Sequence, residues 1–273
     1  MNGSLMNDVV PNLTESAQWK AMEDFSEGID GLRLPQTDEL AGSALTVTFS
    51  GGGELTLTFE PGHQLRWEAS GKDWAGSGSE SYDGVGVGEG AFWVDFSIAE
   101  RKVESLTVMF HPVAGWALVI HSKIHGEDFT TETRVMQSFH PGYVNGISAA
   151  ELPEETRDLI GKRTLFRYSA NHLYEHIYLS SRRFVWHNLV GEQRGHAAAE
   201  LATTWKLEDG LYVFTWREEI IPVGTVFVFD YARGRSTGKF IGLTSDGKIE
   251  NGQGGALIIP FGQSNYGEHQ EPV

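Results

Sequence analysis

The sequence predicts an all-β chain: two tandem antiparallel β-barrels behind a short N-terminal helix. Three observations carry this. Apolar and polar residues alternate at period two, as in 45–49 (LTVTF) and 55–59 (LTLTF). Glycine is abundant, 33 of 273 residues, beside 11% aromatics, which is the composition of short strands joined by tight turns. The third observation is an internal repeat. Gly42, Phe49, Ser50, Leu55, Phe59 and Trp67 match Gly161, Tyr168, Ser169, Tyr174, Tyr178 and Trp186, all at a spacing of 119. Gly90-Ala-Phe92 matches Gly210-Leu-Tyr212 at 120. A repeat of roughly 100–110 residues is the size of a small closed barrel, which removes sheet edges and can hold one ligand.

Taken in order, residues 1–12 read as a tail. Ala17, Met22 and Phe25 recur at helical spacing behind Thr14, a helix-capping residue type. Tail and helix together occupy 1–30. The first barrel is assigned to 31–148, with strands at 45–49, 55–59, 65–67, 91–97, 105–110 and 116–121. Ser50-Gly-Gly-Gly53 and Pro61-Gly62 supply turns. The acidic segment 149–158 (AAELPEETRD) reads as a linker. The second barrel is assigned to 159–265, with strands at 163–169, 172–179, 184–190, 211–217, 225–230, 238–243 and 256–260.

The net charge is −16, from 21 basic and 37 acidic residues, and no basic stripe is present. Phosphate-binding surfaces need clustered Lys and Arg, so neither nucleic acid nor an anionic membrane surface is an expected partner. The chain has no cysteine. Disulfides, thiolate metal sites and cysteine nucleophiles are thereby excluded, and a reducing compartment fits. Residues 1–20 lack a basic stretch followed by an apolar run, and no segment approaches 18 apolar residues. A cytoplasmic protein is the expectation. The sequence leaves a homodimer open.

Some motifs invite chemistry that their context denies. Gly84-Val-Gly86-Val-Gly88-Glu-Gly90 resembles a dinucleotide loop, but that chemistry needs a helix after the glycines. A strand pattern, 91–97, follows instead, and the glycines read as a loop between strands. His172 and His176 have the spacing of a helical metal pair. On a strand they lie roughly 13 Å apart, too far to grip one ion. The same holds for His121 and His125, and no metal or other cofactor is expected. His187 sits mid-strand among aromatics.

The second half concentrates polar and aromatic pairs. Phe166 and Tyr168 share one strand face; Tyr212, Phe214, Trp216 and Glu218 share another. A carboxyl ending an aromatic wall has its charged form disfavoured and can donate a proton near neutral pH. A solvated strand end beside Glu219 would give the same pattern.

On Asp158-Leu-Ile-Gly-Lys162, Tyr168, Tyr174-Glu-His176, Trp186-His187, Asp209-Gly-Leu-Tyr212, Phe214-Thr-Trp216-Arg-Glu218 and Pro222-Val-Gly-Thr225, the second half resembles the MoaF family. Val87-Gly-Glu-Gly-Ala-Phe-Trp93 and Leu118-Val-Ile-His-Ser122 extend the likeness to the first half. The resemblance implies paired calycin-like, that is lipocalin-like, barrels. The second half also resembles the phenolic acid decarboxylases, single barrels that act on hydroxycinnamates without a cofactor. That likeness implies roles for Tyr168, Arg194 and Glu218 as counterparts of that family's second tyrosine, arginine and catalytic glutamate. Three departures stand against a shared substrate. Phe166 replaces the first tyrosine, Gln193 replaces the glycine before the arginine, and three extra residues follow Glu218.

At the repeat spacing, Tyr168, Arg194 and Glu218 fall on Phe49, Ala75 and Ile98, so the first half lacks all three polar groups. One functional cavity, in the second half, is the expectation. Its catalytic group would be Glu218, Arg194 and Tyr168, lined by Phe166, Tyr174, His187, Tyr212, Phe214 and Trp216. The expected ligand is a small aromatic carboxylate or phenol. The function would be that of a cofactor-free lyase or related acid–base enzyme, or of a protein that binds such a ligand without turnover.

Overall fold

The computed structural model describes residues 21–129, 133–267, 270 and 272. Among these residues it is all-β apart from a five-residue helix α1 (Met22–Ser26) and one 3-10 turn (Ala99–Arg101). Thr14 and Ala17, the expected cap and first apolar position of the helix, lie outside the described residues; Met22 and Phe25 are in α1, both buried.

The first barrel is formed by β1 (Ala44–Phe49), β2 (Glu54–Glu60), β3 (Gln64–Ser70), β4 (Gly76–Ser81), β5 (Asp83–Val87), β6 (Ala91–Ser97), β7 (Glu104–Phe110), β8 (Trp116–Ile124) and β9 (Val135–Val144). After the two-residue β10 (Glu154–Glu155) come β11 (Lys162–Ser169), β12 (His172–Tyr178), β13 (Arg183–Val190), β14 (Ala197–Glu208), β15 (Leu211–Arg217), β16 (Val223–Asp230), β17 (Arg235–Leu243) and β18 (Ile249–Gln263). All pairings are antiparallel, in the orders β4-β3-β2-β1-β9-β8-β7-β6-β5 and β10-β14-β13-β12-β11-β18-β17-β16-β15.

The repeat seen in the sequence is a repeat of strands. Leu57 pairs with Trp67 as His176 pairs with Trp186, and Val47 pairs with Leu55 as Phe166 pairs with Tyr174. The entry to each barrel is built alike. Gly42 and Gly161 take φ of 81° and 82°, a left-handed conformation that suits glycine. Their N–H groups donate to Phe59 O (2.8 Å) and Tyr178 O (2.9 Å).

The barrels differ in how they close. β14 is long and pairs with both β13 and β15, which closes the second barrel. Its counterpart in the first barrel is broken into β4, which pairs with β3, and β5, which pairs with β6. The break is at Tyr82, whose N–H donates to His63 O and whose ring packs inward on Phe59 at 5.2 Å. This corrects the loop expected at Gly84–Gly90: Gly84 and Gly86 are in strand β5, and only Gly88 and Gly90, at positive φ, make the turn. Periodicity missed β4, β9 and β14, because their exposed faces and glycine or alanine runs blur the alternation.

Each barrel has its own apolar interior. A third apolar cluster lies between them, where the outer faces of β6–β8 (Trp93, Met109, Leu118) meet those of β14–β16 (Trp205, Val213, Val228). Phe139 stacks on Trp205 at 5.5 Å. Inside this contact Lys239 and Asp95 form an ion pair with both side chains excluded from solvent. Thr107 Oγ1 and Asn251 Nδ2 also donate to Asp95, and Lys239 donates to Ser105 Oγ at 2.7 Å.

The chain before β1 does not stay with the first barrel. Residues 21–37 form a strap across the mouth of the second. Phe25 lies edge-on to Phe240 at 6.1 Å, Ile29 O accepts from Gly255 N, and Arg235 donates to Leu32 O. Arg33 then pairs with Asp83, returning the strap to the first barrel.

Candidate functional site

Under the strap, the second barrel holds a cavity lined by Phe25, Ile29, Tyr168, Tyr174, His176, Trp186, Gln193, Trp216, Glu218 and Phe240. The strand alternation explains the lining. Tyr168 ends the inward face of β11, Tyr174 and His176 lie on that of β12, and Trp216 and Glu218 continue that of β15. The backbone of Glu218 stays in register beyond the strand, its N–H donating to Val223 O at 2.9 Å. With the strap seated, the space open to a water-sized group is about 30 Å³, room for a water or two, within about 360 Å³ of atom-free space partly open to solvent.

Burial decides the electrostatics. Glu218 is buried, and loss of hydration pushes its pKa up to about 8, with the nearby Glu200 carboxylate raising it further and the Trp216 indole pulling it back. Glu200, on β14, is pushed up to about 7, again mainly by burial, although it accepts from Glu219 N at 3.0 Å. Burial also raises the Tyr168 and Tyr174 hydroxyls far above the tyrosine range, and Tyr174 donates to Gln193 Oε1 at 2.9 Å. His176 is lowered to about 3 by burial, so its imidazole is neutral. Its ring lies 4.3 Å from Phe166 and 5.6 Å from Trp216, and its Nδ1 has no hydrogen-bond partner.

The structure brings together four of the nine residues singled out from sequence: Tyr168, Tyr174, Trp216 and Glu218. Phe166 and Phe214 are buried in the aromatic layer beneath, both packed on Phe229. The other three stand elsewhere. Arg194 is exposed, because the turn 191–196 points Gln193 inward and its successor out. His187 is on the outward face of β13, 3.6 Å from Glu175. Tyr212 is inward but at the opposite end of the barrel, its hydroxyl donating to Asp158 at 3.1 Å. The anion-holding arginine expected inside the barrel is therefore not there; among the described residues no cation lines the cavity. Gln193, His176 and Glu200 were missed. The parity of β12 marks His176 as inward, whereas Glu200 lies on a strand without readable alternation. His172 and His176 do lie on one strand, and His172 is held at its end by Ser169, 2.9 Å away.

The first barrel is the control. The counterparts of Tyr168, Tyr174 and Glu218 are Phe49, Leu55 and Ile98, all buried and apolar. The position of Gln193 is taken by Trp74. Its indole fills the interior, 5.9 Å from Phe49 and 5.8 Å from His121, the residue at the Phe240 position. One barrel is plugged and the other hollow. Gln193→Trp should therefore plug the second barrel in the same way. The expected result is an unchanged fold by circular dichroism and loss of thermal stabilisation by any ligand that stabilises the parent; retained ligand response would place the ligand outside this cavity.

Fold and site together define a tandem of antiparallel barrels with one acid-lined aromatic cavity. The chain belongs to the MoaF family: residues 17–126 match the MoaF N-terminal domain and 153–264 the MoaF C-terminal domain. It is 35% identical over 122 residues to Protein MoaF of Klebsiella aerogenes, a match spanning 44% of this chain and 45% of that relative's length. Among solved structures, a Burkholderia vietnamiensis protein described as a candidate beta-lactamase is 15% identical, with 42% of this chain and 99% of that chain covered, at a TM-score of 0.32. The S. cerevisiae core factor is 7% identical, with 84% and 54% covered, at a TM-score of 0.15. Scores this low carry no argument about fold or activity. Among the described residues no group of three or more His, Asp or Glu side chains converges as a metal site, and no helix is long and apolar enough to cross a membrane.

Proposed function

We propose that the second barrel binds a small uncharged aromatic molecule of phenol type, and that Glu218 exchanges a proton with it. The observation that carries this is a buried carboxyl, protonated at neutral pH, at the end of an aromatic cavity whose twin in the first barrel is filled with Trp74 and Ile98. The lining favours an uncharged ligand over a carboxylate. A buried carboxylate needs a partner cation, and here it would meet Glu218 and, behind it, Glu200. A phenol can stack on Trp186, Trp216 or Phe240 and share hydrogen bonds with Gln193, Tyr168 and Glu218. A carboxyl with a pKa near the working pH suits a general acid or base, because either form is then available. A ring-sized ligand requires the strap to shift, since beneath it there is room for only a water or two.

The test has two stages. Thermal-shift screening of phenols against matched aromatic carboxylates should return stabilisation by the phenols. Turnover of the best ligand is then compared between the parent and Glu218→Gln, which should be slower by roughly 10²–10⁴-fold while binding persists. Equal turnover removes Glu218 from the chemistry. Equal binding with no turnover by either protein leaves a ligand-binding protein. Stabilisation by carboxylates alone overturns the ligand class.

A further inference from the structure

The two barrels pack through the outer faces of β6–β8 and β14–β16, which leaves the faces formed by β1–β3 and β11–β13 pointing away from the contact. These faces share one register but not one chemistry. Outward positions in the first barrel are Thr46, Glu54, Thr58, Glu60 and Arg66. The matched positions in the second are Leu165, Leu173, Ile177, Leu179 and Val185, paired across strands in the same way, Ile177 opposite Val185 as Thr58 is opposite Arg66. They are part-exposed or exposed, and β18 extends the apolar surface with Ile259 and Phe261, the latter 60% exposed. Barrel folding alone does not ask for leucine and isoleucine here, because the first barrel folds with threonine, glutamate and arginine.

We infer that this face of the second barrel is the contact with a second copy of the same chain. Three observations select that occupant. Four strands, β18 and β11–β13, spaced about 4.8 Å apart and some seven residues long at about 3.3 Å each give a flat footprint of about 440 Å² before side-chain relief. That is more than half of the roughly 800 Å² per partner buried in stable complexes. Each chain has one such face, its equivalent on the first barrel being polar, so the contact closes as a two-fold dimer and does not extend into a filament. The face also escapes the chain's net charge of −16. Its charged residues are Arg163, Arg167, Arg183 and Glu175, with Arg163 paired to Glu175 and Arg183 to Glu219, so few like charges oppose one another between two copies.

The experiment gives the second barrel the first barrel's own residues. Sedimentation equilibrium of the full chain at tens of micromolar should give twice the 30.2 kDa of one chain. The triple variant Leu165→Thr, Ile177→Thr, Val185→Arg should be monomeric, with its dimer dissociation constant raised at least roughly a hundredfold. A monomeric parent, or a triple variant that is still dimeric, overturns the inference. Because the variant could fail to fold, hydroxyl-radical footprinting of the parent supplies a second reading. Leu165, Ile177 and Val185 should become protected as concentration rises. Protection independent of concentration would mean that the chain covers this face itself and would overturn the proposal, as would no protection at any concentration.

Discussion

Lys239→Met should lower the stability of the chain by about 3–5 kcal/mol, the usual cost of leaving one buried charge without its partner. Asp95 would remain in the contact between the barrels with only Thr107 and Asn251 as donors. Burial already pulls the Lys239 ammonium below its ordinary pKa, and the Asp95 charge holds it up. The double variant Asp95→Asn, Lys239→Met should recover most of the loss, since an amide keeps the hydrogen bonds and carries no charge. Urea unfolding checks this through midpoints compared at constant m-value. A single variant as stable as the double would mean that the pair is hydrated and not a sealed contact. The pair also explains how two convex apolar faces find one alignment: a lysine on one barrel and an aspartate on the other fix the sliding position that hydrophobic burial leaves free.

Glu218→Gln should leave stability unchanged at pH 4 and raise it at pH 9. The carboxyl titrates at about 8 in the folded chain against an ordinary value of 4.5. Between these values the folded state keeps a proton that the unfolded state has released. Stability therefore falls as pH rises through this window, and is fully present below the lower value. Glutamine cannot ionise and escapes the loss. At pH 9 the gap should be about 3–5 kcal/mol, or of order 10 °C in melting temperature. Glu200→Gln should show the same sign with a smaller gap, because Glu200 is raised only to about 7. A gap between parent and Glu218→Gln that does not vary with pH would show that the variant acts through packing and that Glu218 is not a reservoir of protons.

The fold was legible because its strongest signals are local. Two-residue alternation in β1–β3 and β11–β13 follows from one dry and one wet face, and the spacing of 119 survives because the loops between those strands have matched lengths. The site was legible in part for the same reason. Tyr168, Tyr174, Trp216 and Glu218 are inward by strand parity, which any correct strand assignment yields. Arg194 and Gln193 show the limit. They lie in a turn, where parity has no meaning, and the backbone bonds of 191–196 rather than the alternation decide which of them points inward. His187 failed otherwise: it is in a strand, but one residue out of phase with Trp186, the inward neighbour. Tyr212 has the right face at the wrong depth, and depth along a barrel depends on strand stagger, which a single strand does not record.

The strap has a consequence for the order in which the molecule is made. Phe25 and Ile29 are synthesised early, yet the surfaces that receive them, Phe240 and Gly255, are more than two hundred residues downstream. Closing a loop of that length brings a large entropic cost and no local reward, so the barrels form first and the strap seats last. During synthesis the second barrel therefore passes through a stage in which its mouth is complete and uncovered. The same step taken in reverse is a local opening of the mature chain that leaves both sheets intact. A ligand of the proposed kind would have that interval, at birth or in reopening, in which to enter.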